Sequence, residues 1–314
     1  MTSLAASQPE QPAAAEHSDV VVVGAGITGL ATAVMLLDAG RSVTVLEQDV
    51  AGALASGRNT GKATLLQGTR LSTIRRGHPA RLVRAYVDAN RAGQQWLRRA
   101  CERAGVVYRE ATAYSYAQSI DGLDAVDAEV RAAREAGLPV RRVDDVPDDV
   151  PFPLAGAAAL DGQFALEPAE LMRGLAELVA RGGGRLVTGV RALGVRASDP
   201  VRVRTSAGEY TANQVVIATG APMLSRGLYW AKTSGSRSML ASFDVPEPAT
   251  ARLPDGLYLS VDRPGRSIRS AEHAGRTQLL VGGAGHRTGR EPSTRDLLDE
   301  LLEWTHTWWP DVTD

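Results

Sequence analysis

Apolar positions along this chain follow two periods, and their alternation sets out the elements. Residues 19–23 form a short apolar run. Residues 27–37 carry apolar side chains at helical spacing until Gly40 stops them, and 42–46 is apolar again and ends at Glu47. The order predicts strand, tight turn, helix and strand, a βαβ unit. Residues 51–71 are rich in Gly, Ser, Thr and Asn without a period. They predict a long loop at the strand-end side of the sheet, a length that is usually functional or disordered. Leu82, Ala85, Tyr86, Ala89, Ala92, Trp96 and Leu97 recur at threes and fours, marking a long amphipathic helix over 79–104.

Further on, 111–117 alternates like a strand and 125–136 is helical in pattern. Leu166 begins a turn into a helix over 168–180. Glu167 precedes a proline suited to the first helical turn, and Gly182 to Gly184 end the helix. Strands are expected at 185–188, 201–205 and 214–218, then at 238–243, 257–261 and 278–281, with a closing helix at 294–309. There is no internal repeat.

At 314 residues and 44% hydrophobic, the chain is long enough for two domains or one large α/β domain. Its 35 basic and 36 acidic residues leave a net charge of -1, which gives no global field toward nucleic acid or an anionic membrane. The single cysteine, Cys101, excludes an intrachain disulfide, an iron–sulfur cluster and a thiolate zinc site, and no metal site is expected. A reducing cytoplasm is the expected compartment. Residues 1–18 lack a basic start and apolar core and are expected to be a disordered tail. No apolar stretch reaches transmembrane length. Only Lys62 and Lys232 are lysines, so a lysine retained among so many arginines carries some information.

The first βα turn reads Gly24-Ala25-Gly26-Ile27-Thr28-Gly29. Gly24 allows a tight turn, Gly26 lets the backbone approach a pyrophosphate, and Gly29 lets helix and strand pack closely. The phosphates then lie on the free N–H groups of Ile27, Thr28 and their neighbours. Glu47, beside Gln48, stands at the end of the second strand, where a carboxylate accepts both ribose hydroxyls and argues against a 2′-phosphate. This motif alone leaves FAD and NAD open. The run Val215-Val216-Ile217-Ala218-Thr219-Gly220, preceded by a hairpin-like segment at 204–211, resembles the second dinucleotide-site signature of two-dinucleotide flavoproteins, and the combination favours FAD.

The loop Ala55-Ser56-Gly57-Arg58-Asn59-Thr60-Gly61-Lys62-Ala63-Thr64 resembles the cofactor-facing loop of the D-amino-acid-oxidase-like FAD-dependent oxidoreductases. With Tyr86-Val87-Asp88-Ala89-Asn90, the run from Arg226 to Ala231, Arg266 to Ser270, and Gly282 to Gly289, it is similar to the branch that often carries a C-terminal Rieske domain. The resemblance covers about residues 18–309.

It implies an α/β fold with an FAD-binding Rossmann-like domain of the two-dinucleotide-flavoprotein type and a second, mixed-sheet substrate domain. The FAD domain is expected from 19–76 and 156–225, the substrate domain from 77–155 and 226–314. It further implies FAD-dependent oxidation of a small amine or amino acid, with hydride passing to flavin N5 and electrons leaving to oxygen or a carrier. Relatives continue past the last helix into a segment that returns to the FAD sheet, and often into a Rieske module. Neither is expected here, and one cysteine cannot hold a two-Cys, two-His cluster. A non-catalytic FAD-binding subunit completed by a partner chain, a defective fragment, and an NAD-dependent dehydrogenase are the alternatives.

By resemblance, Lys62 is placed near flavin N1 or N5, with a solvated surface lysine as the other reading. Arg58, Asn59, Thr60 and Gly61 are cofactor-binding candidates, as are Ala218, Thr219 and Gly220, and Ala192 is expected to meet adenine through its backbone. Arg269 is a candidate carboxylate clamp and His286 a candidate for proton transfer. Tyr229 and Trp230 read as a core pair in an apolar strand, or as pocket lining. Trp304 and Trp308 have core-like spacing, the alternative being an exposed apolar surface that includes Trp309.

Overall fold

A computed structural model of the chain describes residues 17–145, 147–224, 226–247, 252–273, 275–289 and 293–313. In chain order the elements are β1 (His17–Val23), α1 (Ile27–Asp38), β2 (Val43–Leu46), β3 (Lys62–Ala63), α2 (Arg70–Gly77), α3 (Ala80–Ala104) and β4 (Tyr108–Ala117). There follow α4 (Leu123–Glu135), β5 (Arg141–Val143), β6 (Gly156–Leu166), α5 (Pro168–Arg181), β7 (Arg185–Val187), β8 (Ala192–Arg196), β9 (Val201–Thr205) and β10 (Gly208–Ile217). The last are β11 (Ser236–Asp244), β12 (Leu257–Ser260), β13 (Arg266–His273), β14 (Arg276–Arg287) and α6 (Thr294–Trp308).

Contacts divide the chain into two compact units. The first comprises residues up to 59, 99–107 and 167–233, and the second 60–98, 108–166 and 234–314. Residues 60–76 and 156–166 group with the second unit because β3 and β6 are strands of its sheet.

The first unit holds a six-stranded sheet in the order β7-β2-β1-β10-β9-β8. β7, β2, β1 and β10 run parallel, and β10, β9 and β8 form an antiparallel meander. β1 sits in the middle, so both faces of Val20 to Val23 are covered, which is why the sequence shows an unbroken apolar run. α1 and α5 pack against each other. Glu167 caps α5 by accepting from Ala169 N–H, with Pro168 in its first turn. Of the expected tail, residues 1–16 lie outside the described residues, while His17 and Ser18 already belong to β1 and pair with β10.

The second unit holds an eight-stranded mixed sheet ordered β11-β14-β13-β12-β4-β6-β3, with β5 on β6. Its apolar cluster around Leu65, Leu71, Val83, Val126, Val130 and Leu160 includes α2, α3 and α4. Another cluster, around Tyr116, Phe152, Phe243, Tyr258, Leu301 and Trp309, holds α6. Trp309 is 1% exposed and donates from Nε1 to the carbonyl of Arg252, and Trp304 lies 6.2 Å from both Phe152 and Trp309. The tryptophans are therefore packed, not an exposed apolar surface.

The structure departs from expectation in several places, the strands β5, β8 and β13 among them, which no expected run covers. The loop at 51–71 contains β3 and the start of α2. β6 was not anticipated: its alanines are buried on both faces between β4, β3 and β5, and a run of buried alanines carries no period-two signal. Tyr229 and Trp230 are 62% and 58% exposed in a kinked segment of 3-10 turns, Arg226–Lys232, not core residues of a strand. Leu228 in that turn has φ +52, a left-handed conformation that strands do not use. Among the described residues no helix is long and apolar enough to cross a membrane.

Candidate functional site

In the first unit the predicted turn closes around its three glycines. Gly24 has φ +103, and a Cβ there would stand 2.6 Å from the Ala218 carbonyl oxygen, while one on Gly29 would stand 1.8 Å from the Gly24 oxygen. Both positions are closed to any side chain, the first by conformation and the second by contact. Ala218 N–H donates to Val23 O at 2.8 Å, so the end of β10 and the β1–α1 turn lie against each other. Thr219 and Gly220 continue from that contact: Thr219 Oγ1 donates to Ala221 O, and Gly220 takes φ +68.

α1 begins at Gly26, which offers no side-chain cap, and Ile27 and Thr28 are exposed. Its leading N–H groups carry the positive end of the helix dipole. One of them is served from outside: Ile27 N–H donates to Ser56 Oγ at 3.0 Å. Ser56 lies in a loop folded back on the same turn, where Gly52 N–H donates to Ala25 O and Gly57 N–H to Gly52 O, each at 3.0 Å. Asn59 braces that loop by donating from Nδ2 to the carbonyls of Ala55 and Ser56. Arg58 and Gln48 are exposed. Sequence reasoning placed Ser56 in the loop but gave it no role, and a hydroxyl capping a helix from 29 residues away leaves no local signal.

Glu47 accepts from Ala25 N–H at 2.7 Å through Oε2 and from Asp49 N–H at 3.0 Å through Oε1. Each carboxylate oxygen keeps a lone pair for a further donor. The same strand end is stitched to the chain leading into β8: Glu47 N–H donates to Val187 O, and Val190 N–H to Glu47 O. Ala192 opens β8 two residues later.

Together these groups fit FAD. A helix N-terminus without its own cap, a turn closed to side chains, and a carboxylate with spare lone pairs are the partners that a pyrophosphate and a ribose need.

The second unit gathers a different set. Lys62 donates from Nζ to Tyr258 O at 2.6 Å and to Ser267 Oγ at 2.8 Å. β6 and β4 stand between β3 and β12 in the ladder, so the sheet curls until its β3 end faces β12 and β13. Arg269, 3% exposed, secures the same closure. Its Nε donates to Thr60 O, its two terminal nitrogens to Ser270 O and Leu166 O, and Leu166 N–H returns to Gly61 O. Burial, and next the Arg269 charge, hold the Lys62 ammonium well below the usual lysine range.

Three of Arg269's donors are thus directed to backbone carbonyls. His286, buried on β14, has Nδ1 2.9 Å from Ala284 O, and its own carbonyl accepts from Ser236 Oγ. The structure brings Thr60, Gly61, Lys62 and Arg269 together with Tyr258 and Ser267, two partners invisible at separations of 196 and 205 residues. Among the described residues no group of three or more His, Cys, Asp or Glu could hold a metal ion.

Similarity to known proteins agrees with this geometry. The profile of the D-amino-acid-oxidase-type family described as FAD dependent oxidoreductase matches residues 19–314. A putative Rieske 2Fe-2S iron-sulfur protein of Bacillus subtilis is 25% identical over 308 residues, covering 95% of this chain and 59% of that protein. The gamma-glutamylputrescine oxidoreductase of Escherichia coli is 27% identical over 209 residues, covering 65% of this chain and 49% of its own length. The chain thus spans about half to three fifths of the curated relatives it matches. The crystal structure of glycine oxidase from Geobacillus kaustophilus superposes with a TM-score of 0.71 at 19% identity, covering 94% of this chain and 79% of that one. With a glycine cradle that fits the cofactor and a family match running from β1 to the last residues of the chain, the protein belongs to the FAD-dependent oxidoreductases.

Proposed function

We propose that this FAD-dependent oxidoreductase oxidises a small amine or amino acid. The observation that carries the reading is Lys62, a half-buried residue whose amine is held on Tyr258 O and Ser267 Oγ beside a guanidinium. An amine whose proton affinity is lowered in this way gives up its proton at a lower pH than a solvated lysine. That makes it able to take and pass on a proton when a C–N bond is oxidised. The names of the similar proteins support the substrate class, since one curated relative is an oxidoreductase of an amine and the superposed structure is an oxidase of an amino acid.

FAD, when bound, supplies the acceptor for a pair of electrons. Everything else falls to the chain. The N-terminus of α1 and the backbone of Gly24 to Gly29 would hold the pyrophosphate, with Glu47 on the ribose and Ala192 and Ala218 to Gly220 lining the same cofactor through backbone. Lys62 would hold or release a proton at Nζ. Arg269, through its hydrogen bonds to Thr60 and Leu166, would fix the turn from which Lys62 projects. His286 is a further candidate for proton transfer.

The test is the visible absorption of the purified chain with and without added FAD, followed by anaerobic addition of amines and amino acids. Bleaching of the oxidised flavin band by one of them supports the reading. FAD uptake without bleaching by any amine or amino acid would sink the substrate class and favour a flavin-binding subunit that works with a partner chain.

A further inference from the structure

β3 is two residues long. Lys62 and Ala63 pair with Ala165 and Phe164 of β6, and the backbone then leaves the ladder. The polar groups that a longer strand would have paired are taken up by two side-chain amides. Gln94 of α3 donates from Nε2 to Ala63 O and to Gln163 Oε1, both at 3.0 Å. Gln163 of β6, 4% exposed, accepts through the same Oε1 from Leu65 N–H at 2.9 Å and donates from Nε2 to Asp161 O at 3.0 Å.

The network fixes its own orientation. Oε1 of Gln163 faces two donors, so flipping this amide would set N–H against N–H. Leu65 and Leu66 belong to the apolar cluster beside it, where little water can stand in for a lost partner. The amides therefore grip the chain one and three residues after Lys62, from a helix and a strand that are themselves packed in place.

We propose that the Gln94–Gln163 amide pair is the positioning device for Lys62, setting the backbone from which its amine reaches Tyr258 O and Ser267 Oγ beside Arg269. Lysine has four side-chain torsions, so its tip stays in one place only if its backbone does. Releasing Ala63 and Leu65 lets β3 peel from β6 and lets the ammonium swing away from Arg269 into water. The inference rests on the reading of Lys62 as the proton-handling group, but it concerns where that amine is held and not whether turnover occurs.

The test uses the low lysine count. With 13Cε-labelled lysine, the full chain gives two lysine signals, and Lys232→Arg identifies that of Lys62. Its pH titration is followed in the parent chain, in Gln163→Leu, in Gln94→Ala and in Glu129→Gln. The last disturbs a separate buried polar contact, from α4 to the start of α2. The expected result is a Lys62 midpoint raised by about one pH unit, a tenfold gain in proton affinity, in both glutamine variants and unmoved in Glu129→Gln. An unmoved midpoint in the glutamine variants overturns the proposal. So does an equal shift in all three, which would mark general loosening of the unit. The titration is read without substrate, so a chain that oxidises no amine still decides the question.

Discussion

Lys62 and Tyr258, 196 residues apart, are joined by a 2.6 Å hydrogen bond from the lysine Nζ to the tyrosine's backbone carbonyl. A cation donating to a neutral carbonyl, with an arginine beside it and burial around it, is held at a cost to its charged form. Its titration therefore enters both stability and chemistry.

The sign for stability follows from proton counting. Burial and Arg269 lower the folded-state affinity of Lys62 for its proton, whereas the unfolded chain keeps an ordinary lysine. Between the folded and unfolded pKa values the unfolded state binds more protons, so this contribution to stability rises with pH. The penalty is fully present below the folded pKa and gone above the unfolded one. Comparing Lys62→Met with the parent by chemical denaturation at neutral pH and near pH 10, the balance should move in the parent's favour at the higher pH. The same substitution should slow flavin bleaching by substrate on the order of 10²-fold, measured anaerobically in a stopped-flow instrument, with FAD content retained.

Gly24→Ala places a Cβ 2.6 Å from the Ala218 oxygen on a backbone at φ +103. The strain, about 1–3 kcal/mol, falls on the turn that receives the pyrophosphate. Flavin retention should drop, with FAD lost on dilution and fluorescence recovering in the filtrate. Undiminished retention would mean that the turn relaxes without consequence for the cofactor.

Ser56→Ala removes the acceptor of Ile27 N–H at the start of α1. The cofactor-free chain should lose about 1 kcal/mol, the usual worth of a helix cap. The FAD-loaded chain should lose less, because a phosphate oxygen can take the same N–H. Thermal melts with and without FAD measure the difference, and equal losses would show that the hydroxyl and the phosphate do not share this donor.

Glu129 is buried on α4 and accepts from Leu71 N–H at 3.0 Å and Ser72 N–H at 2.8 Å, capping α2 from another helix. Burial raises its carboxyl above the usual range while the hydrogen bonds to Ser72 and Leu71 oppose that shift. Glu129→Ala leaves two amides without an acceptor and should cost about 1–3 kcal/mol or more, read as a shift in denaturation midpoint.

The dinucleotide turn was legible because it is local. Gly24, Gly26 and Gly29 are dictated by a turn of a few residues, and Glu47 by the length of one helix and strand, so spacing alone locates them. β6 was not legible because burial on both faces erases alternation, leaving Ala157 to Leu160 indistinguishable from a helical run. Tyr229 and Trp230 misled because aromatic character speaks for burial unless the backbone forbids it, and left-handed Gly227 and Leu228 do so here. The second cluster depends on a curled sheet. No period or motif announces that Lys62 will find Tyr258 and Ser267; the scarcity of lysine marked Lys62 and the resemblance gave it a place, whereas Arg269 was singled out by the resemblance alone.

The closure of the eight-stranded sheet also bears on self-association. A terminal strand ordinarily offers a row of bare backbone groups on which another chain can grow. At the β3 end that strand is two residues long, the Thr60 carbonyl just before it is taken by Arg269 and its own Lys62 reaches across to Tyr258, so a second molecule would have to displace these cations to pair along this border. The cation pair so guards the β3 border of the sheet, and only that border, since β11 at the opposite end is a longer and largely exposed strand.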